Sequence, residues 1–151
     1  MAVSQSYIGK AVDVCVLETP SYGGIAPVNI AISDSGSAIS GPYKVVQKFF
    51  KCLMTDKGSV ASEPEYGTSF VTKLFGGQIH TSLALSFAFY SEKNDIINYI
   101  KSSVLAPSVD EALEDVALEG LSVTLDSAVM SLRFTFQDSS TILVPVTIST
   151  V

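Results

Sequence analysis

The chain has 151 residues, about one domain's worth and enough for a single hydrophobic core. Only 16% of the residues are charged, against roughly a quarter in an ordinary soluble domain, while the mean hydropathy is +0.39 and the net charge −6. Eight lysines and one arginine, Arg133, form no basic cluster, which speaks against a nucleic-acid partner, and the longest apolar run, near Leu83–Tyr90, is too short to span a bilayer.

The first 40 residues read as an arm carrying strands. Residues 12–18 are rich in Val, and Val28, Ile30 and Ile32 alternate with period two; the polar stretch 33–41 between them and the next element reads as a loop. A helix follows. Ser40 suits its N-cap and Pro42 its first turn, where a missing N–H costs nothing. Val46, Phe49, Phe50 and Leu53 recur at helical spacing and mark the buried face, with Lys44, Lys48 and Lys51 on the other side. Gly58 fits a left-handed turn beyond its end. Residues 68–75 suit a short helix with Phe70, Val71 and Leu74 inward, stopped by Gly76-Gly77. Residues 78–105 are mostly helical, with a stripe of Ile96, Ile97, Ile100 and Val104, although Leu83, Leu85, Phe87 and Phe89 alternate as a strand would.

Pro107 breaks that run. Ser108 and Glu111 match the S-x-x-E capping box, which predicts a short helix with Asp110 and Glu111 at its positive end. From Leu118 onward the pattern is β. Leu121, Val123 and Leu125 alternate, then Met130, Leu132, Phe134 and Phe136, then Ile142, Val144, Val146 and Ile148, with turns at 126–127 and 137–141. This predicts a three-stranded antiparallel meander with one wet face. Pro145 places the last strand at an edge. The fold class is therefore α+β: helices on a C-terminal antiparallel meander over 41–151, preceded by a strand-containing arm over 1–40.

Chemistry-bearing patterns are sparse. Cys15 and Cys52 are flanked by apolar residues and read as buried small hydrophobes rather than a disulfide; without a CxxC or Cys/His cluster, no metal site is expected. Glu63 and Glu65 are the one carboxylate pair in a loop, and glycoside hydrolysis could use such a pair, yet their spacing in a Pro-containing turn fits a solvated or ion-paired loop better. His80 stands alone, and no G-x-S-x-G turn, phosphate loop or dinucleotide fingerprint accompanies it. Asp34-Ser35-Gly36-Ser37 lacks the acidic ligands of a calcium loop, and Asp110, Glu111, Glu114 and Asp115 read as a solvated helix face. No catalytic residue and no cofactor is expected. The first residues lack a basic stretch leading into an apolar one, so synthesis in a reducing cytoplasm is expected. Charge this low leaves two readings: a Ser/Thr-covered surface, or a chain that buries part of its surface against other subunits.

Residues 47–74 read QKFFKCLMTDKGSVASEPEYGTSFVTKL. A helix ending in L-x-T, a Gly turn, and a P-x-[YF]-G loop entering a short helix resemble the tail-lysozyme-like baseplate wedge family of contractile phage tails, also called sheath initiators. Leu53, Thr55, Gly58, Pro64, Tyr66 and Gly67 occupy the motif positions. The family's Glu-Pro-Arg triplet near the long helix is absent, since the one Glu-Pro here, Glu63-Pro64, is followed by Glu65. The resemblance covers about 41–148. It implies a structural, non-enzymatic subunit in the virion, present in several copies around a sixfold tail. Its implied partners are the tail tube, the sheath protein and other wedge proteins, with neither nucleic acid nor membrane. The meander would pair with sheath strands through Val123, Leu125, Val144 or Val146. A murein-cleaving enzyme, as the family's older name suggests, another tail part such as a terminator or head–tail joining protein, and a generic binding module outside phages are the alternatives.

Overall fold

The computed structural model describes residues 38–149 apart from 78, 105–106 and 125–126, and before them the strand residues 13–14, 17–18 and 29–30. The architecture is α+β. Four two-residue strands come first. β1 (Asp13–Val14) pairs antiparallel with β4 (Ala38–Ile39), and β2 (Leu17–Glu18) pairs antiparallel with β3 (Asn29–Ile30). Cys15, Val28, Ile32 and the 34–37 stretch lie outside the described residues. Three helices follow, α1 (Pro42–Leu53), α2 (Phe70–Phe75) and α3 (Ser82–Ser103), and then β5 (Leu113–Val123), β6 (Ser127–Phe136) and β7 (Thr141–Ser149).

The last three strands form an antiparallel sheet in the order β5-β6-β7. Every second residue of β6, from Ala128 through Met130, Leu132 and Phe134 to Phe136, is fully buried. Val144, Val146 and Ile148 continue that inner face on β7. Helix α1 lies on it: the Phe134 ring meets Phe49 edge-on at 5.2 Å and Phe50 at 5.8 Å, and Phe49 also touches Phe89 of α3 at 6.3 Å. Such aromatic pairs add about 0.5–1.5 kcal/mol each beyond the area they bury. Helix α3 packs on β5 and α1. Its Thr81 hydroxyl accepts from the Ala84 N–H at 3.1 Å, an ordinary N-cap.

The turns set the phase of the sheet. Ser139 takes a positive φ of 65°, its N–H donates to Phe136 O at 2.9 Å, and Phe136 N–H donates to Ser140 O at 3.0 Å. That is the three-residue hairpin with a left-handed closing residue. Antiparallel ladders alternate bonded and unbonded pairs, so Ile142, Val144, Val146 and Ile148 bond to β6. Thr141, Leu143, Pro145 and Thr147 turn their backbone groups to the outer edge. Pro145, paired in register with Ser131, thus has its missing N–H on the free side of an edge strand, as expected. On the other flank Thr124 N–H donates to Ser127 O at 2.8 Å. By the same alternation Val116, Leu118, Leu121 and Val123 aim their backbone groups away from β6.

Three expectations need correction. The Ser108–Glu111 segment is not a helix: Glu111 N–H closes a turn on Ser108 O at 2.9 Å, and β5 begins two residues later. The strand starts five residues before Leu118 because two bulges, between Leu113 and Asp115 and between Leu118 and Gly120, break its period. Its inward positions are Leu113, Val116, Leu118, Leu121 and Val123, so simple alternation hides the first half. The second correction concerns α1. Its N-cap is Gly41 rather than Ser40, with no cap from its own side chain. Glu111, 70 residues away, takes that role: its Oε1 accepts from Gly41 N–H at 3.0 Å and from Lys44 Nζ at 3.2 Å. Third, Lys44 is therefore buried, at 7% exposure, rather than on the open side of the helix. In α3 the apparent strand alternation resolves as two faces of one helix, with Leu85 and Phe89 buried and Leu83 and Phe87 exposed.

Removing one partner of a buried pair leaves a desolvated charge. Glu111→Ala should lower the unfolding free energy by about 3 kcal/mol, read as a smaller urea midpoint with an unchanged slope. Glu114→Ala, at an exposed position of the next strand, should change it by less than about 0.5 kcal/mol.

Candidate functional site

The segment between α1 and α2 is a clip built from backbone and hydroxyl hydrogen bonds. Beyond the fully buried Leu53, the chain turns out of α1, and the Thr55 hydroxyl donates back to Lys51 O at 2.6 Å. Asp56 and Thr68 form a short parallel bridge: Thr68 N–H donates to Thr55 O at 2.8 Å and Lys57 N–H to Thr68 O at 3.0 Å. The buried Thr68 hydroxyl donates to Leu53 O at 2.9 Å and accepts from Phe70 N–H at 3.2 Å. One residue thus ties the end of α1 to the start of α2. Thr72 on α2 adds a bond from its hydroxyl to Asp56 Oδ1 at 2.6 Å.

The motif glycines differ in what they require. Gly58 has φ of 84° with open space where a side chain would project, whereas Gly67 has φ of 98° and a Cβ there would lie 2.5 Å from Thr55 O. Gly67 therefore permits the bridge itself. Pro64 is exposed at the loop's tip. Tyr66 folds back, its ring meeting Tyr99 of α3 edge-on at 5.2 Å. The Tyr99 hydroxyl in turn donates to Glu63 Oε2 at 2.9 Å. Burial and the Glu63 carboxylate push the Tyr99 phenol up to about 12. A second tie holds α2: Glu92 of α3 accepts from the Ser69 hydroxyl and from Lys73 Nζ, the latter at 3.0 Å. Burial pushes the Glu92 carboxyl up, but those two donors outweigh it and hold the group below its ordinary range.

Four of the six motif residues, Leu53, Thr55, Tyr66 and Gly67, thus take part in one structural unit, while Gly58 faces open space and Pro64 stands at the exposed tip. Spacing alone missed Asp56, Thr68, Thr72, Glu92 and Tyr99; the hydroxyls at Thr68 and Thr72, at the entry of a short helix, were the available signal. The two loop carboxylates are separately engaged. Glu63 holds Tyr99, and Glu65 pairs with Lys57 at 2.8 Å, which draws its carboxyl below the ordinary range. A glycosidase acid needs a shift the other way. Asp115 pairs with Lys93 at 2.7 Å while Glu111 is buried against α1, so the acidic run at 110–115 is not one solvated face. Among the described residues no three or more metal-ligating side chains gather. Burial pushes the Cys52 thiol up, and His80 is exposed at the rim of a hollow shared with Phe75, Val123 and Thr124. Of the four residues assigned to strand pairing, Val144 and Val146 face the core and bond to β6, Val123 turns its backbone outward, and Leu125 lies outside the described residues. Among the described residues no helix is long and apolar enough to cross a membrane. No family model matches the chain, and no curated protein matches it.

Gly67→Ala should cost about 3 kcal/mol of stability, since it combines a disfavoured φ with a backbone clash, and Gly58→Ala only about 1 kcal/mol; paired urea unfolding curves check the order. A second expectation concerns Tyr99. Its folded phenol holds its proton harder than the unfolded one, so the stabilisation is complete below the ordinary tyrosine pKa of about 10 and is lost as pH rises through about 12. Difference titration of phenolate absorbance between the native chain and Tyr99→Phe should place this tyrosine there, and Glu63→Gln should move it down.

Proposed function

We propose that the chain is a structural subunit of a contractile phage tail baseplate, that it surrounds the tail tube, and that it starts sheath assembly by accepting a sheath strand on β5. The observation that carries the reading is the outer edge of β5. Val116, Leu118, Leu121 and Val123 present backbone donors and acceptors there, and no strand covers them among the described residues. Strand addition takes its affinity from such main-chain groups and its register from alternate side chains. The opposite edge is less suited, because Pro145 removes a donor from the middle of β7.

A second feature supports membership of an assembly. Leu83, Phe87 and Tyr90 lie one turn apart on α3 and are 72%, 75% and 48% exposed. The opposite side of the same turns is buried in the core through Leu85 and Phe89. A helix apolar on both faces is one that neighbours cover on both. On this reading the clip is a rigid support whose Gly67 and Tyr66 fix α2 and α3. The partners are the sheath protein, the tube and other wedge proteins, in several copies around a sixfold axis, and the location is the virion. The murein-cleaving alternative needs a raised carboxyl for acid catalysis, and Lys57 draws Glu65 the other way.

The test is sheath polymerisation seeded by the purified chain, scored by electron microscopy with the sheath protein encoded beside it. The native chain should seed sheaths, and Leu121→Pro, which removes one outward N–H from β5, should seed about tenfold fewer while keeping its circular dichroism spectrum. Closed rings of the isolated chain that ignore the sheath protein would favour a terminator or joining role instead.

A further inference from the structure

A hollow of about 120 Å³ opens between α1, the end of α3 and the start of β5. Its floor is apolar, formed by Val45, Ile100 and Leu113, each buried. Three of its lining residues are lysines, Lys44, Lys48 and Lys101, in a chain that has nine cations in all and a net charge of −6. Lys44 is neutralised inside the wall by Glu111. Lys57, Lys73, Lys93 and Arg133 hold carboxylates elsewhere. Among the described residues Lys48 and Lys101 have no ion-pair partner, and both stand at this opening, half-buried and exposed respectively. The rim therefore carries two uncompensated positive charges over an apolar well.

We propose that this hollow receives one apolar side chain of a partner polypeptide whose flanking carboxylates are held by Lys48 and Lys101. The size favours a single side chain: an apolar cavity of about 150 Å³ takes a benzene, whereas sites for larger ligands run to roughly 300–1,000 Å³. The charge selects acidic flanks, because paired charges at a rim steer a partner and fix its register. The Lys44–Glu111 pair makes the well rigid by joining two of its walls. This assignment stands independently of the tail reading, since it uses neither β5's edge nor the clip.

The probes are two capped tripeptides, acetyl-Glu-Leu-Asp-amide and its neutral counterpart acetyl-Gln-Leu-Asn-amide, titrated into the isotope-labelled full chain and followed by NMR. The acidic peptide should shift the amide signals of Val45, Ile100 and Leu113. The neutral one should bind about five- to tenfold more weakly. Lys48→Glu combined with Lys101→Glu should abolish the difference while leaving signals remote from the hollow in place; should that variant not fold, the two-peptide comparison on the native chain still decides. Equal binding of both peptides, or shifts centred away from the hollow, overturns the proposal. Phenylacetate binding as tightly as the acidic peptide overturns it in favour of a free small acid.

Discussion

The fold depends on one carboxylate. Glu111 sits at the entry to β5 yet completes the first turn of α1, so the helix layer and the sheet are tied where neither would otherwise be fixed. A helix that begins with Gly41-Pro42 has no side-chain cap of its own and leaves N–H groups to satisfy. Glu111 meets one of them, neutralises Lys44 and places a negative charge at the positive end of the helix. Such a buried pair contributes little net free energy against its desolvation. What it supplies is position: with α1 anchored at that end, Phe49 and Phe50 fall onto Phe134, and the aromatic cluster closes the core.

The other end of α1 is held by different means. Thr68 donates its backbone N–H to Thr55 and accepts from that of Lys57, and the Thr68 hydroxyl spans the gap to α2. These bonds are short-range and directional, and they work only because Gly67 lets the two backbones approach. Tyr66 and Glu63 then fasten the loop to α3 through Tyr99. The result is the loop over residues 54–69, which has a definite shape without a hydrophobic core of its own, as compact functional or structural loops do.

How much of this was legible in the sequence follows from the range of each interaction. The α1 stripe, the short α2 stopped by Gly76-Gly77, the isoleucine stripe of α3 and the alternation of β6 and β7 are local periodicities, and they match the structure. Pro145 located an edge for the same reason, since its lack of an N–H is a property of one residue. The failures share a cause. Ser108 and Glu111 have the spacing of a capping box, and Glu111 does cap a helix, but at Gly41 and Lys44, 70 and 67 residues earlier in the chain. A local rule reads the right chemistry and assigns it to the wrong helix. Similarly, the bulges of β5 shift its inward residues to spacings of three and two, which no fixed period detects. At the candidate site the glycines and Tyr66 were visible as turn chemistry, whereas Thr68 and Tyr99 matter through partners that only the folded chain brings near.

The low charge content takes on a more definite meaning once the pairs are traced. Most of the described cations are consumed within the fold: Lys44 inside the core boundary, Lys73 and Lys93 on α2 and α3, Lys57 in the clip, and Arg133 against Glu119 on the outer face of the sheet. Only the Lys44–Glu111 pair is withdrawn from water, whereas Lys57–Glu65 and Arg133–Glu119 are paired at the surface. One region is then left poor in charge, the exposed apolar side of α3 at Leu83, Phe87 and Tyr90, while one opening is left positive at Lys48 and Lys101 and β5 carries the exposed acids Glu114, Asp115 and Glu119. A monomer that had to stay soluble alone would place some of its few charges over that helix face, where they prevent association. The distribution found here leaves that face able to be covered, and it is this placement of charge, more than its scarcity, that fits the proposed role as a part packed among others.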